Sequence, residues 1–171
     1  MKQKGIDSFS GKRIWIIGAS SGIGEACAKS LINQNARVIL SSRRVERLNA
    51  IAQDAKVDQA LVIPLDVTDD KQLATAYEKI INTWSGIDLL LFVSGIYTPL
   101  RADDFDIHIA EQTIDANLLG PMKVVALVLP KMLQAQRGNI AIVGSVAGYS
   151  GLPKALAYGP SKAAIINFCE I

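Results

Sequence analysis

Five short, β-rich apolar runs alternate with longer segments of helical periodicity, and this alternation constrains the fold more than any other feature of the chain. The runs are Arg13–Ile17, Arg37–Leu40, Ala60–Leu65, Leu89–Val93 and Asn139–Val143. Strands that are apolar at nearly every position are buried on both faces. Between them, apolar residues recur at helical spacing: Ile23, Ala26, Cys27, Ser30 and Leu31; Val45, Leu48 and Ile51; Leu73, Tyr77, Ile80 and Ile81; Ile114, Leu118 and Val125. A last helix-like segment runs from Ala155 to Ile171. Strands joined by helical crossovers give a parallel sheet with helices on both sides. No repeat, low-complexity tract or linker interrupts the pattern, so residues 1–171 read as one doubly wound α/β domain.

Composition narrows the function classes. Half of the residues are hydrophobic and the formal charge is only +2, with no Lys/Arg cluster beyond Arg43-Arg44. Neither a nucleic-acid partner nor an anionic membrane is expected of such a surface. Cys27 and Cys169 stand far apart, outside any CxxC pattern, and read as small buried hydrophobes in a reducing compartment. One histidine, His108, offers no metal-ligand spacing and reads as an ordinary helix or loop residue, so no metal site is expected. The polar start, Met1–Gly11, lacks the apolar core of a signal peptide, and Met122–Leu133 reads as a buried helix too short to span a bilayer. The expected location is cytoplasmic.

The first strand runs into Gly18-Ala19-Ser20-Ser21-Gly22-Ile23-Gly24, and a helical pattern follows at once. A tight strand-to-helix turn needs glycine where φ is positive and where a side chain would strike a pyrophosphate. The helix N-terminus then presents free N–H groups to the phosphates. The spacing is GxxxGxG rather than GxGxxG, and a plain glycine-rich βα turn is the competing reading.

Farther along, Tyr158 and Lys162 stand at i and i+4, on one helix face, and Ser145 follows the fifth strand. Pro160 between them is tolerable in a first helical turn. Together with Asn117 and the glycine loop, these residues resemble the short-chain dehydrogenase/reductase family. The resemblance runs from about Lys12 to the last residue. It implies a Rossmann-like sheet of order 3-2-1-4-5 and an oxidoreductase that interconverts a carbonyl and an alcohol by hydride transfer. In that chemistry a cation beside a phenol favours the phenolate. Tyr158 then exchanges a proton with the substrate oxygen. Ser145 hydrogen-bonds the same oxygen. Asn117 is implied to hold a water linked to Lys162. The competing readings are an exposed i,i+4 pair and a turn serine.

The resemblance also implies the cofactor contacts: Gly18, Ser20, Ser21, Gly22, Ile23 and Gly24 at the phosphates, Gly95 beside the ribose, and Tyr158 and Lys162 at the nicotinamide end. Ser42 stands where an NAD-preferring relative carries an aspartate, and Arg43 follows it, suited to a 2′-phosphate. NADP is therefore favoured over NAD, with a solvated helix start as the alternative for Arg43-Arg44. Asp66 and Val67 are implied adenine contacts, although Asp66, Thr68 or Asp69 equally suits a helix N-cap. Two departures from the family pattern stand out. Ile17 replaces a usual threonine, and Phe92-Val93-Ser94-Gly95 replaces a usual Asn-Asn-Ala-Gly, whose missing amide is expected to cost local rigidity.

The chain ends nine residues after Lys162, inside the helix-like segment. Against the family pattern this reads as C-terminal truncation, with the last strands and the substrate lid absent. A homodimer or homotetramer is expected, packing the helices that carry Asn117 and Tyr158 against their equivalents. Two functions stay open: an NADP(H)-dependent oxidoreductase acting on a small carbonyl or alcohol, and a truncated nucleotide-binding or assembly domain with relic site residues. An incomplete gene product is a third account of the length.

Overall fold

The computed structural model of the chain describes residues 6–171. The first five residues of the polar start, which was read as no signal peptide, lie outside them. Strands β1 (Arg13–Ile17), β2 (Arg37–Ser41), β3 (Ala60–Val62), β4 (Leu89–Phe92) and β5 (Asn139–Ile142) form one sheet in the order β3-β2-β1-β4-β5. Every pairing is parallel, so this is the Rossmann-like arrangement expected. The helices are α1 (Gly22–Asn33), α2 (Val45–Ala52), α3 (Asp70–Trp84), α4 (Ile107–Ile114), α5 (Gly120–Gln134) and α6 (Tyr158–Glu170).

Period-two alternation along the strands explains the two layers. Ile14, Ile16, Val38 and Leu40 join a core with Ala28, Leu31 and Ile32 of α1 and Leu48 and Ile51 of α2. Their neighbours Trp15, Ile17, Ile39, Leu90 and Phe92 point the other way. They meet Leu73, Ala76 and Ile80 of α3 and Val124, Val125 and Val128 of α5. Trp15 is fully buried, and its indole N–H donates to Ser41 Oγ at 2.9 Å, so the ring carries no unpaired donor into the core.

The structure redraws several local expectations. Regular pairing of β3 stops at Val62, and Pro64 beyond it falls on the open edge of the sheet, where its missing N–H removes no bond to β2. Ile63 and Leu65 still donate to Leu40 O and Ser42 O, so the chain stays on the sheet to its C-terminal edge. The buried stripe of α1 is Gly24, Ala28, Leu31 and Ile32, not the stripe through Ile23, Ala26 and Ser30. Ile23 is 61% exposed because it faces the cavity above the sheet. Cys27 is half-buried and Cys169, in the last turn of α6, is exposed, so neither is the buried hydrophobe expected.

The apolar run Met122–Leu133 belongs to a continuous helical stretch, Ile107–Gln134, of 28 residues. That is long and apolar enough to cross a membrane by length and composition, contrary to the shorter reading. Pro121 does not divide it, because it occupies the first turn of α5, just after a π-helical turn at Asp115–Leu119. One face of α5 is committed to the sheet through Val124, Val125, Val128 and Met132.

Candidate active site

The turn after β1 is built as the glycines demand. Gly18 has φ +94, and a Cβ there would lie 2.6 Å from Ser94 N. At Gly24 a Cβ would lie 2.1 Å from Gly18 O, so α1 can start this close to the strand only without a side chain. Gly22 has φ +54, and a Cβ there would meet nothing within 4 Å, so the space above the turn is open.

That space is a cavity of about 540 Å³ at the C-terminal edge of the sheet. Gly18, Ser20, Ser21 and Ile23 line it from the turn, Ser42 and Arg43 from the end of β2, and Asp66 and Val67 from beyond β3. Ser94 and Gly95 line it from beyond β4. Every residue named for the cofactor from the sequence borders this cavity except Gly22, Gly24, Tyr158 and Lys162. Gly24 is buried beneath it, and the other three stand outside its lining.

The two arginines divide. Arg44 Nε donates to Ser20 Oγ at 3.1 Å, and Arg44 Nη2 donates to Ser21 Oγ. Arg43 is 73% exposed in its side chain and only loosely paired, with Nη1 3.8 Å from Asp66 Oδ2. Arg44, unassigned from the sequence, is therefore tied to the glycine turn, while it also stands exposed at the start of α2, as the solvated-helix-start reading has it. Adjacent arginines look alike in sequence, and only the backbone turn decides which one points back. Asp66 does not cap α3. Its Oδ1 accepts from Thr68 N at 3.0 Å and from Thr68 Oγ1 at 2.8 Å, forming an Asx turn. The cap is Asp69, which accepts from Lys71 N and Gln72 N.

Gly95 joins the cavity to the second half of the site. A Cβ there would lie 3.3 Å from Asn117 Oδ1 and 3.6 Å from Lys162 Nζ. Asn117, in the π-helical turn, is 1% exposed. Its Nδ2 donates to Ile96 O at 2.8 Å and to Ser161 Oγ at 3.3 Å, while its Oδ1 accepts from Ile96 N at 2.8 Å. Ser161 Oγ in turn donates to Tyr158 O at 2.7 Å. A single amide therefore ties the segment after β4 to the start of α6. π-helical turns recur at functional sites because they re-aim a side chain without ending the helix. The segment that lacks the usual asparagine pair is held by these bonds and by Ile17 O, which accepts from Val93 N and Ser94 N at 2.8 and 3.0 Å.

Lys162 is 5% exposed and donates to Val143 O at 2.9 Å. Its Nζ lies 5.7 Å from the centre of the Tyr158 ring. Burial pushes the Lys162 ammonium below the ordinary lysine range. An exposed surface pair is therefore not what these two residues form. Ser145 caps a short 3₁₀ turn, Val146–Gly148, by accepting from Ala147 N at 3.2 Å. The turn uses a lone pair of the hydroxyl and leaves its proton for another acceptor. His108 is exposed beside Glu111, with Nδ1 3.4 Å from Oε2, and takes no part. Sequence reasoning missed Ser161 and Tyr97. Tyr97, after β4, packs on Tyr158 edge-to-face with ring centres 5.2 Å apart.

Comparison with known proteins agrees with this geometry. A family model described as short chain dehydrogenase matches residues 12–171. The chain is 31% identical over 161 residues to human dehydrogenase/reductase SDR family member 7, covering 91% of this chain and 48% of that protein. It is 35% identical over 168 residues to an uncharacterized oxidoreductase of Listeria innocua, covering 96% and 67%. The structure of a short-chain dehydrogenase from Streptomyces avermitilis superposes with a TM-score of 0.88 at 26% identity, covering 94% of this chain and 59% of that one. The chain thus spans about half to two thirds of the length of these proteins.

Proposed function

The chain belongs to the short-chain dehydrogenase family, and from that premise we propose that it interconverts a small-molecule carbonyl and its alcohol with NADP(H). The observation that carries this reading is the buried Lys162 ammonium 5.7 Å from the Tyr158 ring, next to Gly95 in the wall of the cavity above the glycine turn. The residues present fit the cofactor. Gly18 lets the segment after β4 approach the turn, Gly22 leaves room above it, α1 aims its free N–H groups at that space, and hydroxyls and guanidinium groups line its far end. When bound, the cofactor supplies or accepts the hydride.

The chain's own part is proton handling and orientation. Tyr158 gives a proton to the carbonyl oxygen in reduction and takes it back in oxidation. Lys162, held by Val143 O, places its ammonium beside that phenol. Ser145 donates its unspent hydroxyl proton to the same substrate oxygen. Asn117 fixes the relation between the segment after β4 and α6, and so the distance from Gly95 to Lys162.

Preference for NADP over NAD is supported by Ser42 and Arg43 at the end of β2. A neutral hydroxyl and a loosely paired guanidinium accommodate a 2′-phosphate, where a carboxylate would repel it. Pairing of two copies through α5 is supported by its exposed Leu129 and Leu133 and is read by light scattering.

The test is oxidation of NADPH by the purified chain with a panel of ketones and aldehydes. Turnover that falls by about three orders of magnitude or more in Tyr158→Phe supports the reading. Nucleotide binding with no turnover, unchanged by Tyr158→Phe, favours a binding or assembly domain instead.

A further inference from the structure

Tyr158 is the first residue of α6, and no side chain caps that helix. Its ring has the Lys162 ammonium on one side, at 5.7 Å, and the ring of Tyr97 on another, at 5.2 Å and an interplanar angle of 70°. Such an edge-to-face contact has a preferred geometry, because the positive edge of one ring meets the negative face of the other.

Tyr97 is itself anchored at both ends. Upstream, Ile96 is held at both backbone groups by Asn117. Downstream, Leu100 bridges to Ala155 in parallel, with Leu100 N donating to Lys154 O at 2.9 Å. The Tyr97 hydroxyl reaches the same Lys154 carbonyl at 3.4 Å. The segment after β4 is thus clamped to the segment that leads into α6, and Tyr97 is the side chain on that clamp that touches Tyr158. Yet Tyr97 remains 52% exposed, so core packing does not account for its aromatic ring.

We propose that Tyr97 is a positioning residue, which fixes the orientation of the Tyr158 ring through the edge-to-face contact and so holds the phenol oxygen within hydrogen-bond reach of the substrate oxygen. The inference rests on the acid–base role proposed for Tyr158. Its first measurement does not need turnover. A tyrosine has only two side-chain torsions to fix, so one directional contact suffices to narrow them.

The test uses the full chain with ring-labelled tyrosine. It has four tyrosines, and Tyr158→Phe and Tyr97→Phe assign the two relevant signals. The wild type is expected to give nuclear Overhauser contacts between the Tyr97 and Tyr158 rings. In Tyr97→Leu the Tyr158 signal shifts, while the melting curve stays close to wild type because Tyr97 is half exposed. In turnover assays kcat is expected to fall about ten-fold with KM changed less than about two-fold, the pattern of lost orientation rather than lost binding. Tyr97→Phe keeps the ring and restores both signal and rate. Absence of the wild-type ring contact, an unmoved Tyr158 signal in Tyr97→Leu, or a phenylalanine variant as impaired as the leucine one overturns the proposal. A wild-type chain with the ring contact but no turnover overturns the oxidoreductase reading alone, and the spectroscopic comparison still decides the role of Tyr97.

Discussion

Asn117 grips Ile96 by both of its backbone groups, donating to the carbonyl and accepting from the N–H at 2.8 Å each. One buried side chain thereby replaces the strand neighbour that the segment after β4 no longer has. The same amide reaches Ser161 on α6. Asn117→Ala removes three hydrogen bonds from a buried position and leaves Ile96 partly unsatisfied. A loss of about 2–3 kcal/mol in unfolding free energy is expected from denaturant titration. A change below about 0.5 kcal/mol would show that the grip contributes nothing to the fold.

Arg43 and Arg44 are expected to differ in kind. Arg43→Ala removes a loosely held cation at the end of β2. It should weaken NADPH about ten-fold and leave NADH nearly unchanged. Arg44→Ala frees Ser20 and Ser21 in the phosphate turn, so both cofactors should weaken together by several-fold. Fluorescence titration with each nucleotide reads the difference. Equal effects of Arg43→Ala on the two nucleotides contradict the 2′-phosphate assignment.

Much of this site was legible in the residues and some was not. The glycine turn was readable because φ above zero and close approach restrict a position to one residue type, and Gly18 and Gly24 meet those demands. The pairing of Tyr158 with Lys162 was readable because i and i+4 share a helix face. Arg44 was not assigned, since which of two adjacent side chains turns back depends on the backbone between β2 and α2. Ile23 illustrates the opposite error. Helical spacing assigns this apolar residue to the core, but the start of α1 overhangs the cavity.

Arg13 and Asp88 form a bidentate pair that joins β1 to the start of β4, with contacts of 2.8 and 2.7 Å. The hydrogen bond from Arg13, more than its charge, holds the Asp88 carboxyl below the usual carboxylate range. A carboxyl depressed in the folded state binds its proton more tightly in the unfolded one. Its contribution is therefore complete above the unfolded value near pH 4 and is lost as pH falls through the folded value. Asp88→Asn should cost about 1–3 kcal/mol at pH 7 and flatten the loss of stability below about pH 4. Parallel acid unfolding curves for the two proteins would refute the assignment.

Lys162 should show the reverse balance between function and stability. Its folded value is lowered by burial, so the unfolded chain binds that proton more tightly and stability rises with pH between the folded and unfolded values. Below that window the buried charge is a cost. Lys162→Met should abolish turnover while leaving the protein as stable as wild type, or more so, at pH 6. The gap in its favour should shrink toward pH 10, as wild type loses the charge. Denaturant titrations at the two pH values check the sign.

The sequence by itself determined the layered parallel sheet and the residue types at the turn and on α6, while the strand order came with the family resemblance. These follow from local rules: period-two and 3.6-residue patterns, the freedom of glycine, and the shared face of residues four apart. The tertiary structure decided what no spacing carries. It brought Gly95 against Lys162, made Asn117 the tie between the segment after β4 and α6, and placed Tyr97 on Tyr158. Those contacts join residues 21 to 67 positions apart, and their geometry is set by how the loops beyond each strand close over the sheet edge rather than by any local preference.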